Sequence, residues 1–317
     1  MSANYYDSTQ AKYWTFTRPE LSSLRTSLST LHHGLHQKHP LPDPRHMAIF
    51  IQSHLIKLAR RLNLRQQALA TAQVYIKRFY LRVEFRKTNP YLIMCTAMYL
   101  ACKMEETPQH IRLMLGEAAR QWPELGVTET SKIGECEFAM ISTLGSRLIL
   151  HHPYRALNEL QGLFGLSTEE VNLASNIIND SYITDLPLLY PPHVIALTSI
   201  FLAVVLRPAP TANPGLQAFS TSAFPSPGGA SSSGSSTANP ALSGSAAQNA
   251  LAGFAGLKQA GPKLGKLTDW LAESKVDMEA IVDATQEMVS LYECWEGYSE
   301  RAAKDGITKV LREGGIK

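Results

Sequence analysis

Cysteine is scarce in this chain. Its 317 residues hold four, at 95, 102, 136 and 294, and no two form a CxxC pair. A zinc ribbon and a thioredoxin-type redox motif are therefore unsupported. Three of the four lie inside apolar runs, which reads as reduced core thiols of an intracellular protein. Long apolar runs are also missing. The longest, Val194 to Leu206, has 13 residues, whereas a membrane span needs ~20, so no membrane is expected. The opening MSANYYDSTQAKYW lacks the apolar region of a secretory signal. Excess charge is small: a formal +3 does not by itself argue for nucleic acid. GxGxxG, GxxxxGKS/T, HExxH, GxSxG, HRD and DFG are all absent. No catalytic residue and no cofactor is assigned, and no enzyme is expected. Sustained period-2 alternation is missing too, which leaves an all-α fold.

What is present is helical patterning, with 44 % hydrophobic residues, enough for sizeable cores. His46 to Asn63 places Met47, Ile51, Leu55, Leu58 and Leu62 on one face, and Gln67 to Leu81 continues with Leu69, Ala72, Ile76 and Phe79. Pro90 opens a nearly wholly apolar helix through Cys102, and Pro191 and Pro192 open another. Ser131 to Leu144 aligns Ile133, Cys136, Met140 and Leu144. Ser167 with Glu170 forms a capping box. Met278, Ile281, Thr285, Met288, Tyr292 and Trp295 follow a 3-4-3-4-3 spacing. PYLIMCTAMYLAC and PPHVIALTSIFLA are the centres of a loose internal repeat, each wrapped by about four amphipathic helices. Pro208 to Leu257 carries no charge and is dominated by Ser, Ala, Gly, Pro, Thr and Asn. Residues 207–263 therefore read as a disordered loop, either an interdomain linker or an insertion within one domain. Phe219, Phe224 and Phe254 within it read as incidental aromatics.

Two clusters have bland readings. His32, His33, His36 and His39 sit in a Gly- and Pro-punctuated segment and read as an exposed loop, with no metal assigned. His151 and His152 fall at the junction of the halves and read as structural. Lys57 to Lys87 contains nine Lys or Arg and one acid, Glu84. This reads as the solvated face of two helices, as a patch for an acidic or phosphorylated partner with Arg60, Arg61 and Arg65 as candidates, or as a nucleic-acid contact, although Tyr75, Phe79, Tyr80 and Phe85 fit core positions better than base-stacking ones.

Lys103, Glu105 and Glu106 end the first apolar helix, where a lysine costs free energy unless paired. Glu137 falls between core positions 136 and 140 on the next amphipathic helix and could face Lys103. The alternative is a lysine placed for the helix dipole and solvated acids.

Leu100-Ala-Cys-Lys-Met-Glu-Glu106 resembles the LA-S-K-x-E-E signature of the cyclin box, a family of two tandem five-helix repeats. The closest resemblance is to the cyclin C branch, the cyclins of the Mediator kinase module. It is carried by Leu64 to Tyr80, His152-Pro-Tyr-Arg155, Asn179-Asp-Ser-Tyr182, Thr184-Asp-Leu186, Leu189-Tyr-Pro-Pro192 and Val276-Asp-Met-Glu279. Tyr5, Tyr6 and Trp14 at the start are similar as well.

The resemblance implies an N-terminal helix and loop over 1–45 and boxes over 46–150 and 151–298, the second interrupted by the disordered 207–263 insertion. A tail would follow over 299–317. It implies binding and activation of a cyclin-dependent kinase through Lys103 and Glu137, with Leu100 and Phe138 beside them. It further implies a nuclear location and contact with other kinase-module subunits through a groove. Candidates there are Tyr6, Trp14, Glu105, Glu106, Asn179, Asp180 and Tyr182; for Trp14 and Tyr182 core packing is the competing reading. No direct nucleic-acid contact is expected. The alternatives are another transcriptional cyclin or a DNA-binding factor of the same fold, as in factor IIB. The MRAIL docking patch of cell-cycle cyclins is missing: the stretch reads His46-Met-Ala-Ile-Phe-Ile51.

Overall fold

A computed structural model describes residues 4–206 and 262–314. The described residues contain helices and no strand. The chain starts with α1 (Thr9–Tyr13), α2 (Arg18–Leu31) and α3 (His33–Lys38). The first repeat follows: α4 (Pro44–Arg61), α5 (Gln66–Tyr80), α6 (Pro90–Met104), α7 (Ile111–Gln121) and α8 (Thr130–Thr143). The second comprises α9 (Pro153–Phe164), α10 (Thr168–Ser181), the single turn α11 (Leu186–Leu189), α12 (Pro192–Val205), α13 (Pro262–Glu273) and α14 (Met278–Glu296). A last helix, α15 (Glu300–Gly314), lies in the stretch expected as a tail. No described helix is long and apolar enough to cross a membrane.

The two proline-opened helices are central, as their composition requires. Asn89 caps α6, its side chain accepting from the Tyr91 and Leu92 amides, with Pro90 in the first turn. α12 is buried through Val194–Ile200. A helix apolar all round is stable in water only when others wrap it, and α5, α7 and α8 pack on α6 while α9, α10, α13 and α14 pack on α12. The Ser167–Glu170 capping box forms on α10. An equivalent box, Thr17 with Glu20, opens α2.

Several expected faces are wider or rotated. α4 buries Ile49, Phe50, Gln52 and His54 besides Met47, Leu55 and Leu58, while Ile51 is only half-buried. The reason is that α4 meets α5, α7, α14 and α15. α5 is buried along nearly its whole length because it feeds both cores: Leu69, Ala72 and Ile76 enter the first, Ala70 and Val74 the second. On α14 the stripe turns to Ile281, Ala284, Met288 and Leu291, and Met278 in the first turn is exposed.

The histidine segment is not an exposed loop. It forms α3, His36 Nε2 lies 3.0 Å from buried Glu84, and buried His39 lies 3.3 Å from Glu313. No group of three metal-ligating side chains occurs among the described residues. Of the expected insertion 207–263, residues 207–261 lie outside the described residues, with Phe219, Phe224 and Phe254. Lys263 belongs to α13, its Nζ 2.7 Å from Glu170.

Candidate functional site

Lys103 is in the last turn of α6 and Glu137 in the middle of α8, and these helices pack side by side. The two side chains form an ion pair. The lysine therefore satisfies both readings at once, paired with an acid and placed at the negative end of a helix. Its ammonium also lies 4.8 Å from the centre of the Tyr99 ring, a cation–π contact that holds the long side chain in place. The pair is not sealed. Lys103 is 39 % exposed at the side chain, and Phe138 next to Glu137 is 76 % exposed, with Met104 also exposed. A half-open ion pair rimmed by bare aromatic and thioether surface is poorly explained by stability, since exposed pairs contribute about 0–1 kcal/mol. It is well suited to fixing register in an apolar interface, with Lys donating to carbonyls and Glu accepting from amides. Leu100 is corrected: it is 2 % exposed and packs in the first core, so it supports α6 from within.

A second polar constellation joins the two repeats. Thr71 on α5 donates to Glu105 Oε1 at 2.6 Å, and its Oγ1 lies 2.8 Å from His152 Nε2. His152 Nδ1 lies 2.6 Å from the Tyr182 hydroxyl. The chain is self-consistent when Tyr182 donates to Nδ1, Nε2–H donates to Thr71, and Thr71 donates to the carboxylate. Burial works to raise the Glu105 carboxyl, but the bonds from His152 and Thr71 outweigh it and hold it low. Beside this chain, Asn179 Oδ1 accepts from Tyr154 at 2.7 Å and from Gln66 at 2.9 Å. Asp180 accepts from Tyr292 at 3.2 Å, and burial pushes its carboxyl up to about 7.

Glu105, Asn179, Asp180 and Tyr182 are thus brought to one junction, but not all as surface. Tyr182 is 3 % and Trp14 1 % exposed. Both are core residues, Trp14 in the first core and Tyr182 in the second. Tyr182 sits against His152 and Tyr154, Trp14 against Phe16 and two arginines. Tyr6 is exposed and lies near His193 at the start of α12. Glu106 is exposed, in a left-handed turn (φ 53°) that ends α6. The bonded partners are Gln66 and Thr71 on α5, His152 just before α9 and Tyr292 on α14, so no local spacing in the sequence could have grouped them.

Only part of the basic stretch turns inward: Lys57, Arg60, Arg61, Arg65, Arg82 and Lys87 are exposed. Lys77 donates to the Ile183 carbonyl and Arg78 is fully buried, while Arg86 pairs with Glu84 and Lys57 with Glu300. Of the three candidate cations, Arg61 pairs with Glu117 at 3.1 Å. Arg60 and Arg65 are exposed.

Two tandem helical repeats wrapped around paired apolar helices make up the cyclin-box fold. The family described as the cyclin N-terminal domain matches residues 19–149. The chain is 49 % identical over 314 residues to the RNA polymerase II holoenzyme cyclin-like subunit of Aspergillus oryzae, covering 98 % of each. It is 49 % identical over 312 residues to that of Aspergillus clavatus, again covering 98 % of each. A chain in the structure of the CAK complex of Chaetomium thermophilum bound to ATP-gamma-S has the same fold, with a TM-score of 0.60 at 17 % identity. That match covers 97 % of this chain and 88 % of that one. This chain belongs to the cyclins, and among them to the family of the RNA polymerase II holoenzyme cyclin-like subunits.

Proposed function

We propose that this cyclin is the non-catalytic subunit that binds and activates a cyclin-dependent kinase of the Mediator kinase module, in the nucleus, and so regulates transcription by RNA polymerase II. The observation that carries the kinase reading is the half-open Lys103–Glu137 pair set among exposed Phe138 and Met104. A kinase helix docked on α6 and α8 buries that apolar rim and takes its main-chain hydrogen bonds from the pair. Held inward, the helix keeps its glutamate in reach of the catalytic lysine. The relatives' names support the polymerase connection. For the other module subunits, the junction of the repeats is the surface of choice, through Tyr6, Glu105, Glu106, Asn179 and Asp180. Arg60 and Arg65 would add contacts to an acidic partner.

The decisive test is co-purification of a tagged chain from nuclear extract, wild type beside Lys103→Glu. The substitution sets two acids together in the interface and costs several kcal/mol of binding, on the order of a hundredfold or more in affinity. Recovery of a kinase with Mediator subunits by the wild type, and its loss with the variant, is the expected result. Undiminished binding and activation by Lys103→Glu would remove the site. Retention on DNA without a kinase would favour the factor IIB-like alternative.

A further inference from the structure

Three arginines that enter no ion pair among the described residues lie close together. They converge on two adjacent rings of the N-terminal segment. Arg82 Cζ lies 4.5 Å and Arg78 Cζ 4.9 Å from the centre of the Trp14 ring, and Arg147 Cζ lies 3.5 Å from that of Tyr13. Carbonyls fix them further: Arg82 donates to Thr143 O at 2.7 Å and Arg78 to Arg147 O at 3.3 Å. Arg78 is fully buried, and its Nε and Nη2 have no hydrogen-bond partner. A buried guanidinium without a counter-ion is costly, and its cost falls when an anion comes near.

The surrounding chain holds the group open to solvent on one side. Gly145 (φ 63°) and Ser146 (φ 58°) are successive left-handed residues closing α8, and this reversal turns Arg147 back so that its guanidinium lies near Gly145. Arg82 is exposed, Arg147 half-buried and Tyr13 49 % exposed. Arginines already stacked and bonded lose little further freedom on binding, and the planar fork matches a carboxylate or phosphate bidentately.

We propose that Arg82 and Arg147, backed by the buried charge of Arg78, form a site for an oxyanion carried on a protein partner: a phosphoserine or phosphothreonine, or an acidic side chain. A peptide fits better than a nucleic acid. The cations that flank Arg78 and Arg82 in the basic stretch, Lys77 and Arg86, are spent on the Ile183 carbonyl and Glu84. Trp14 is buried under arginine, so it offers no face for base stacking. The site does not depend on the Lys103–Glu137 reading.

The test is an arginine Nε–H correlation spectrum of the full chain. It is titrated with a pentapeptide centred on phosphoserine, its glutamate and serine counterparts, and a ten-residue single-stranded oligothymidylate. The phosphoserine peptide is expected to shift the Arg82 and Arg147 signals. Arg82→Gln and Arg147→Gln are each expected to weaken it about tenfold, the scale of one lost charged hydrogen-bonding partner. Lys103→Glu is expected to bind as wild type. A glutamate peptide that binds as tightly assigns the site to acidic side chains, and one that does not assigns it to phosphate. Equal response to the phosphoserine and serine peptides overturns the proposal, as does affinity that survives both arginine substitutions. Oligothymidylate binding tighter than the peptide and lost with the same variants overturns the protein partner.

Discussion

At the end of α10, Asp180 is half-buried and accepts from Tyr292, yet no cation meets it. Burial raises its carboxyl from the ordinary carboxylate range to about 7. A folded-state value above the unfolded one means that the native protein holds the proton longer. Stability from this group is therefore complete below about pH 4 and is lost as pH rises toward 7. Asp180→Asn keeps an acceptor for Tyr292 and removes the charge. The variant is expected to match wild type near pH 4 and to exceed it at pH 7.5 by about 1 kcal/mol, roughly 2–4 °C in Tm for a protein of this size. Thermal unfolding at the two pH values checks this, and a pH-independent difference would show that folding leaves the titration of the carboxyl unchanged. Residues of this kind were unevenly legible. Glu137 could be placed opposite Lys103 because one helical period and one motif located both. The partner of Asp180, Tyr292, is 112 residues away, and only the fold brings them together.

The elements themselves were the most legible level, because 3.6-residue periodicity and proline or Ser/Thr caps are local signals. Where a helix has more than one neighbour the periodicity under-reads it. α5 was legible as one apolar face, but it buries a second face in the other repeat, where Ala70 and Val74 sit. α3 was illegible because glycine and four histidines disfavour a helix in isolation, whereas Glu84, Arg86 and Glu313 give the histidines partners from elsewhere. α2 shows the same dependence. It offers one buried side chain, Leu21, to a small cluster of Leu81, Leu188 and Leu189 at the repeat junction. Arg18 reaches Asp283 and Glu287, and Arg25 makes two 2.7 Å bonds to Asp185. These ion pairs are half-exposed and contribute little each, so the leucine dominates. Leu21→Ala is expected to cost about 2–5 kcal/mol. Hydrogen exchange should quicken across 18–31 and leave α6 protected; unchanged exchange in α2 would mean that the ion pairs hold it alone.

Across the whole molecule, the two repeats are clamped from both ends of the chain. The N-terminal segment reaches the second repeat through α2, and α15 returns from the second repeat to the first. Ala303 and Ile307 of α15 lie in the first core. Lys304 pairs with Glu124 at 2.8 Å and Glu300 with Lys57 at 3.0 Å. Gly306 lets the helix seat closely: a Cβ there would come within 3.3 Å of both Leu41 and Pro42. Stopping the chain after residue 298 removes the buried Ile307 and Val310, each worth about 1.5–3 kcal/mol. The expected effect is a loss of about 3–6 kcal/mol that appears in the first repeat, although the cut lies beyond the second. Trp122, buried in the first core, makes this visible in fluorescence-monitored urea unfolding. The truncated chain should unfold at lower urea, with the first repeat opening ahead of the second. Gly306→Leu in the full chain should reproduce the shift by unseating α15 without removing it. A truncated chain with an unchanged midpoint would show that α15 rests on the first repeat without stabilising it. Because α15 packs on α4 and α6–α8 carry the Lys103–Glu137 face, the same truncation tests whether the proposed kinase site draws its rigidity from the far end of the chain.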